Sequence, residues 1–160
     1  RHTRGYLFIT GDEPPNPCVS RTQVKRLIGE NLNKDIPIAE MIEELQRSYE
    51  PFYLIPDPER GHQVGRAWRD LLGDRVIVMA SPDDTSLVAA GLVSLLEESV
   101  PSLTALIERY VSSGIPHAQA KRVGKALTDF AAAIERDGSP KPRLKTSKKS
   151  HPDDKSGHDR

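Results

Sequence analysis

Three short apolar runs, at residues 6–10, 51–55 and 75–79, alternate along this chain with stretches of helical periodicity. That alternation restricts the fold more than any other feature. A short apolar run bounded by turn residues reads as a strand buried on both faces. Two parallel strands need a crossover that carries the chain back to the same end, and a helix usually supplies it. The expected class is α/β, a parallel sheet of three visible strands flanked by helices.

Within the first run, Leu7, Phe8 and Ile9 carry no charge or proline to protect an open edge. We expect this strand to have neighbours on both sides, with further strands upstream. The chain begins Arg1-His2-Thr3-Arg4, without Met, and enters the strand almost at once. This reads as a chain whose upstream part was cut or is absent.

The intervening stretches have clear helical faces. Ser20 and Gln23 form a capping-box pattern for a helix over 20–30, with Val24, Leu27 and Ile28 inward and Gly29 as its stop. Residues 14–19 read as a stiff proline-rich loop. Asp35-Ile36-Pro37 starts the next helix, which turns Ile38, Met41, Ile42 and Leu45 inward and Glu40, Glu43, Glu44 and Arg47 to water. A helix over 62–72 buries Val64, Trp68, Leu71 and Leu72. Another over 84–97, capped by Asp83 or Asp84, buries Leu87, Val88, Gly91, Leu92 and Leu95, with Gly91 allowing close approach to the sheet. Two more follow, over 102–112 with Ser102 as cap, and over 116–135 with Ala120, Val123, Leu127, Phe130 and Ala131 inward. Residues 1–100 form the α/β unit, 101–136 a helical extension packed on it, and 137–160 a polar tail too poor in apolar residues to fold.

Bulk properties narrow the function. The 160 residues are 36% hydrophobic and 29% charged, with a formal net charge of zero. A strong basic bias, the usual footprint of a nucleic-acid binder, is missing. The tail cluster Lys145, Lys148 and Lys149 is offset by Asp153, Asp154 and Asp159. No apolar run approaches the roughly 20 residues that span a bilayer. Cys18 is the only cysteine, so no internal disulfide forms, which suits the cytoplasm. Cys18 has no neighbouring His and reads as a bystander.

Chemistry concentrates where strands end. In open parallel sheets, ligands bind outside the carboxyl ends of the strands. The first run ends Thr10-Gly11-Asp12-Glu13, which places Asp12 there as a hard oxygen ligand for Mg²⁺ or Mn²⁺. Thr10 and Glu13 lie beside it. The alternative is an Asx-type turn before Pro14. Asp57 follows the second strand, and Asp83 and Asp84 the third. They read as turn and cap residues before they read as ligands. His2, His62, His117, His151 and His158 have no metal-ligand spacing. There is no phosphate-binding glycine loop and no nucleophile elbow.

The run Gly5-Tyr6-Leu7-Phe8-Ile9-Thr10-Gly11-Asp12-Glu13 resembles the fourth strand and third metal-site loop of von Willebrand factor A (vWA) domains. Phe52-Tyr53-Leu54-Ile55-Pro56 and Arg75-Val76-Ile77-Val78-Met79 are similar to the fifth and sixth strands. Residues 5–97 thus resemble the C-terminal half of such a domain. Asp35-Ile36-Pro37 and Trp68-Arg69-Asp70-Leu71-Leu72-Gly73-Asp74 look like segments of bacterial cytoplasmic vWA proteins. The resemblance implies a Rossmann-like fold, metal-dependent protein–protein interaction and no catalysis. It implies Mg²⁺ or Mn²⁺ at a site to which this chain brings only Asp12, the Asp-x-Ser-x-Ser loop and the Thr of the family having no counterpart here. The implied partner is a protein offering a carboxylate, in bacteria often within an AAA+ ATPase system, rather than nucleic acid or membrane. The rival expectation is a metal-assisted hydrolase or phosphoryl-transfer domain using Asp12, Glu13 and Asp57. That chemistry also needs a general base or a phosphate-binding group, and neither is visible.

Overall fold

The computed structural model describes residues 4–137. The expected polar tail, with His151, His158 and the lysine cluster, therefore lies outside the described residues, apart from the helical Asp137, as does His2.

Strand β1 (Gly5–Thr10) leads through β2 (Cys18–Val19), α1 (Arg21–Ile28), β3 (Ile36–Pro37) and α2 (Ile38–Ser48) to β4 (Tyr49–Ile55). The chain continues through α3 (Pro58–Leu72), β5 (Val76–Val78), α4 (Thr85–Leu96), α5 (Leu103–Ser112) and α6 (His117–Asp137). The sheet has the order β1-β4-β5 and is parallel throughout. Phe8 stands opposite Phe52, and Leu54 opposite Ile77. β2 and β3, inside what reads as loop and helix start, form a small antiparallel ladder that pairs Cys18 with Pro37 and Val19 with Ile36. Two residues are too few for periodicity to register.

Alternation along the strands divides the core in two. Phe52, Leu54, Ile77 and Met79 face Val88, Leu92 and Leu95 of α4 and Val123, Leu127 and Phe130 of α6. Tyr53, Ile55 and Val76 face Ile42 of α2 and Val64 and Leu72 of α3. α5 packs on α4 and α6 rather than on the sheet. β4, between two strands and two helical layers, is buried from Glu50 to Ile55. A continuous apolar run is what such a position requires.

β1 is less buried than a strand covered on both faces: Leu7, Phe8 and Ile9 are half-buried, because among the described residues it pairs with β4 alone, its outer side being the one at which upstream strands are expected. α1 departs from its expectation. Leu27 and Ile28 are 74% and 72% exposed and the helix buries no residue, because it packs on neither face of the sheet. Ser20 occupies the N-cap position but its side chain makes no cap bond; Asp35 accepts the Arg21 backbone N–H instead, at 2.9 Å. Met41 is 39% exposed, while the charged face of α2 lies in water as expected. α3 starts at Pro58, a turn earlier than its apolar spacing indicates, since Asp57 accepts the Glu59 and Arg60 backbone N–H groups. Gly91 abuts Leu127 and Leu106, so it brings α4 close to α6 and α5, not to the sheet. Ser102 caps α5 through the Ala105 N–H at 3.2 Å, as read from the sequence.

At the amino end of the sheet a buried carboxylate ties three segments together. Glu50, 9% exposed, meets Arg4 at 3.0 Å and Arg75 through a second ion pair. Nearby, the Tyr6 hydroxyl donates to Glu97 at the end of α4. Burial, and then this carboxylate, push the Tyr6 phenol well above its ordinary range.

Candidate interaction site at the carboxyl edge

β1 ends at Thr10, and the next residue still follows the sheet: the Gly11 N–H donates to the Leu54 carbonyl at 3.1 Å. A Cβ at Gly11 would collide with the Tyr53 hydroxyl, so a larger residue here would have to displace a phenol stacked on Trp68. Beyond it, the chain is held by three side chains from the neighbouring strand and helix. Arg60 Nε donates to the Asp12 carbonyl at 3.0 Å. Trp68 Nε1 and the Tyr53 hydroxyl both donate to the Glu13 carbonyl, at 2.9 and 3.3 Å. The two rings stack with centroids 3.8 Å apart and planes 17° from parallel. A stacked pair loses little further entropy when it fixes a loop.

The loop thus has a pinned backbone and exposed side chains. The side chains of Asp12 and Glu13 are 52% and 79% exposed. The Arg60 guanidinium stands 3.2 Å from the Glu13 carboxylate and 4.0 Å from that of Asp12. Both pairs are open to water and contribute little to stability. Their role is to set the charge pattern of the edge. The negative field of Asp12, after burial itself, raises the Tyr53 phenol above its usual range.

Asp57 and Asp84, also at this edge, are employed structurally. Asp57 caps α3 at 2.8 Å from the Glu59 N–H, the turn-and-cap role read beside the ligand one. Neither Asp83 nor Asp84 caps α4 with its side chain, against expectation. Ser81 caps the short turn before the helix, at 3.3 Å from the Asp83 N–H. Asp84 is 1% exposed and accepts from Arg122 Nε and Nη2 at 3.1 and 3.0 Å and from Gln119 at 3.0 Å. Those bonds hold its carboxyl below the ordinary carboxylate range, outweighing burial. Arg122 lies 38 residues away in sequence, so no local pattern could have shown the pairing. Arg60, the residue that organises the edge, was missed as well. Its position one turn into α3 could have been read only with the start of the helix placed at Pro58.

The donor set does not make a site for Mg²⁺ or Mn²⁺ by itself. Among the described residues no three His, Cys, Asp or Glu side chains gather as metal ligands. Asp12 brings one exposed carboxylate, with Arg60 beside it. A hard dication needs six or more oxygens, several from the protein or its substrate. Exposed carboxylates on a rigid loop can instead pair with a partner's cations or hydrogen-bond donors. No helix among the described residues is long and apolar enough to cross a membrane.

No family model, no curated protein and no solved structure matches the chain.

Proposed function

We propose that this chain is part of a cytoplasmic protein-interaction module of vWA type, Rossmann-like in fold, which binds a protein partner through the carboxyl edge of its sheet and catalyses nothing. The observation that carries this reading is the loop at residues 10–13. Its backbone is fixed by Arg60, Trp68 and Tyr53 while its carboxylates face water. Rigid presentation of exposed polar groups is what a recognition surface needs. A catalytic site would place such groups in a concave, desolvated setting. A partner carboxylate recruited through Mg²⁺ or Mn²⁺ at Asp12, the family's mode, would require further metal donors from outside residues 4–137. An AAA+ ATPase as the assembly partner rests on analogy with the family alone.

The test compares the wild-type chain with Asp12→Ala, Arg60→Ala and, as a control on the outer face of α2, Glu43→Ala. Partner proteins captured by the wild type and by Glu43→Ala are expected to be lost from the first two variants, with circular dichroism unchanged. Equal capture by all four proteins would reject the edge as the binding surface. Hydrolysis of p-nitrophenyl phosphate in Mg²⁺ or Mn²⁺, abolished by Asp12→Ala, would establish the hydrolase reading instead.

A further inference from the structure

The segment between β1 and α2 is held at its base and bare at its tip. Cys18 and Val19 pair with Pro37 and Ile36, and the Ile38 N–H donates to the Pro17 carbonyl at 3.0 Å. Asp35 fixes the start of α1 at the Arg21 N–H. Gly29 closes its end in the left-handed region, at φ 84°, with its N–H on the Val24 and Lys25 carbonyls. A helix so anchored has a defined orientation, yet it buries no residue. Leu27 and Ile28 are the most exposed large hydrophobic side chains among the described residues.

Charge borders this apolar tip in one sign only. Val24, Leu27 and Ile28 share one stripe of the helix. Arg21 and Lys25 flank it on one side, and Arg26 lies beyond Gln23 on the other. None of these cations has an ion-pair partner among the described residues. α1 has no acidic residue; Asp35 and Glu30 lie at its two ends rather than beside the stripe. Neighbouring charges are already matched, Lys34 by Glu40 and both Asp12 and Glu13 by Arg60.

We infer that α1 is an interfacial anchor, which seats Leu27 and Ile28 in the surface of an anionic phospholipid membrane. An interfacial helix needs an apolar face bordered by Lys and Arg, whose long stems lie along the apolar layer while their charges reach the headgroups. α1 has that layout on both sides of its stripe. A protein groove is the other surface that receives an amphipathic helix, but it reads anchors over successive turns, at i, i+3, i+4 and i+7. α1 ends after the first three, Val24, Leu27 and Ile28. A bilayer has no shape to match, so a short apolar tip with flanking cations holds to it, weakly and reversibly. Because α1 buries no residue, it enters the headgroup layer without disturbing the core. The inference goes beyond the partner-binding reading, which rests on the loop at residues 10–13, and departs from the expectation of no membrane contact. It concerns a surface contact, since no helix among the described residues is long and apolar enough to cross a membrane.

The test is flotation of the full chain with phosphatidylcholine vesicles that carry about 30% phosphatidylserine, titrated with lipid. The wild type is expected to float with these vesicles, to stay behind with pure phosphatidylcholine, and to be released by high salt. Leu27→Ser/Ile28→Ser is expected to abolish flotation with circular dichroism unchanged, since both side chains already lie in water. Lys25→Gln/Arg26→Gln is expected to weaken binding about fivefold for each charge removed. A wild type that does not float would overturn the inference. So would flotation that survives Leu27→Ser/Ile28→Ser, or that is lost instead in Lys148→Gln/Lys149→Gln, which would move the contact to the chain's other basic cluster. Absence of flotation, together with loss of a captured protein from Leu27→Ser/Ile28→Ser, would overturn it in favour of a protein groove.

Discussion

Asp84 and Arg122 form an asymmetric pair. The side chain of Asp84 is 2% exposed and that of Arg122 is 43% exposed. Removing the arginine strands a buried anion, while removing the acid frees a cation that water still reaches. Arg122→Ala is therefore expected to destabilise the fold more than Asp84→Asn, which should cost about 1–2 kcal/mol, both measured by urea unfolding. The pH dependence follows from the lowered carboxyl. Around the ordinary carboxylate range the unfolded chain binds a proton at Asp84 that the folded chain does not. The contribution is full above that range and is lost as pH falls through the folded value. In Asp84→Asn that part of the acid sensitivity should disappear. Asp12, Asp57 and Asp84 each follow a strand in the sequence. Their neighbours alone do not separate an exposed surface charge, a cap and a buried anchor. What separates them is Arg60, Arg122 and Gln119, which arrive from other elements.

Most elements follow from their own residues, since helical spacing reports an apolar face wherever that face meets a neighbour. α3, α4 and α6 meet such neighbours, and their inward residues lie in the two core clusters. α1 shows where this inference stops. Val24, Leu27 and Ile28 have the spacing of a buried face, yet two of the three lie in water. Amphipathic spacing states that a face is suited to burial; a surface to receive it is a property of the fold. The cap of α1 teaches the same at its other end. Ser20→Ala is expected to leave stability within about 0.5 kcal/mol, whereas Asp35→Ala should cost about 1 kcal/mol, both read from thermal unfolding. The capping-box pattern indicates the reverse order. Asp35 wins because the β2–β3 ladder brings it beside the Arg21 N–H.

Residues 4–137 form a three-layer unit in which α6 belongs to the main core. Leu127 is fully buried and shares one cluster with Phe52 and Leu54 of the central strand. Leu127→Ala is expected to cost about 3 kcal/mol and to destabilise α6 and the sheet in a single transition, checked by calorimetry. Separate transitions for the sheet and for residues 101–136 would show the extension to be an independent unit.

Composition and periodicity alone sufficed for the parallel α/β character, the three main strands and the inward faces of α3, α4 and α6, because those properties depend on residues a few positions apart. They also placed Asp12 beyond the end of a strand parallel to its neighbour. Tertiary structure decided which carboxylate is anchored and which is exposed, which apolar faces stay in water, and that β1 and β5 are the edges among the described residues. Each of those outcomes is a contact or a vacancy between segments tens of residues apart, and local sequence carries no energy term for it.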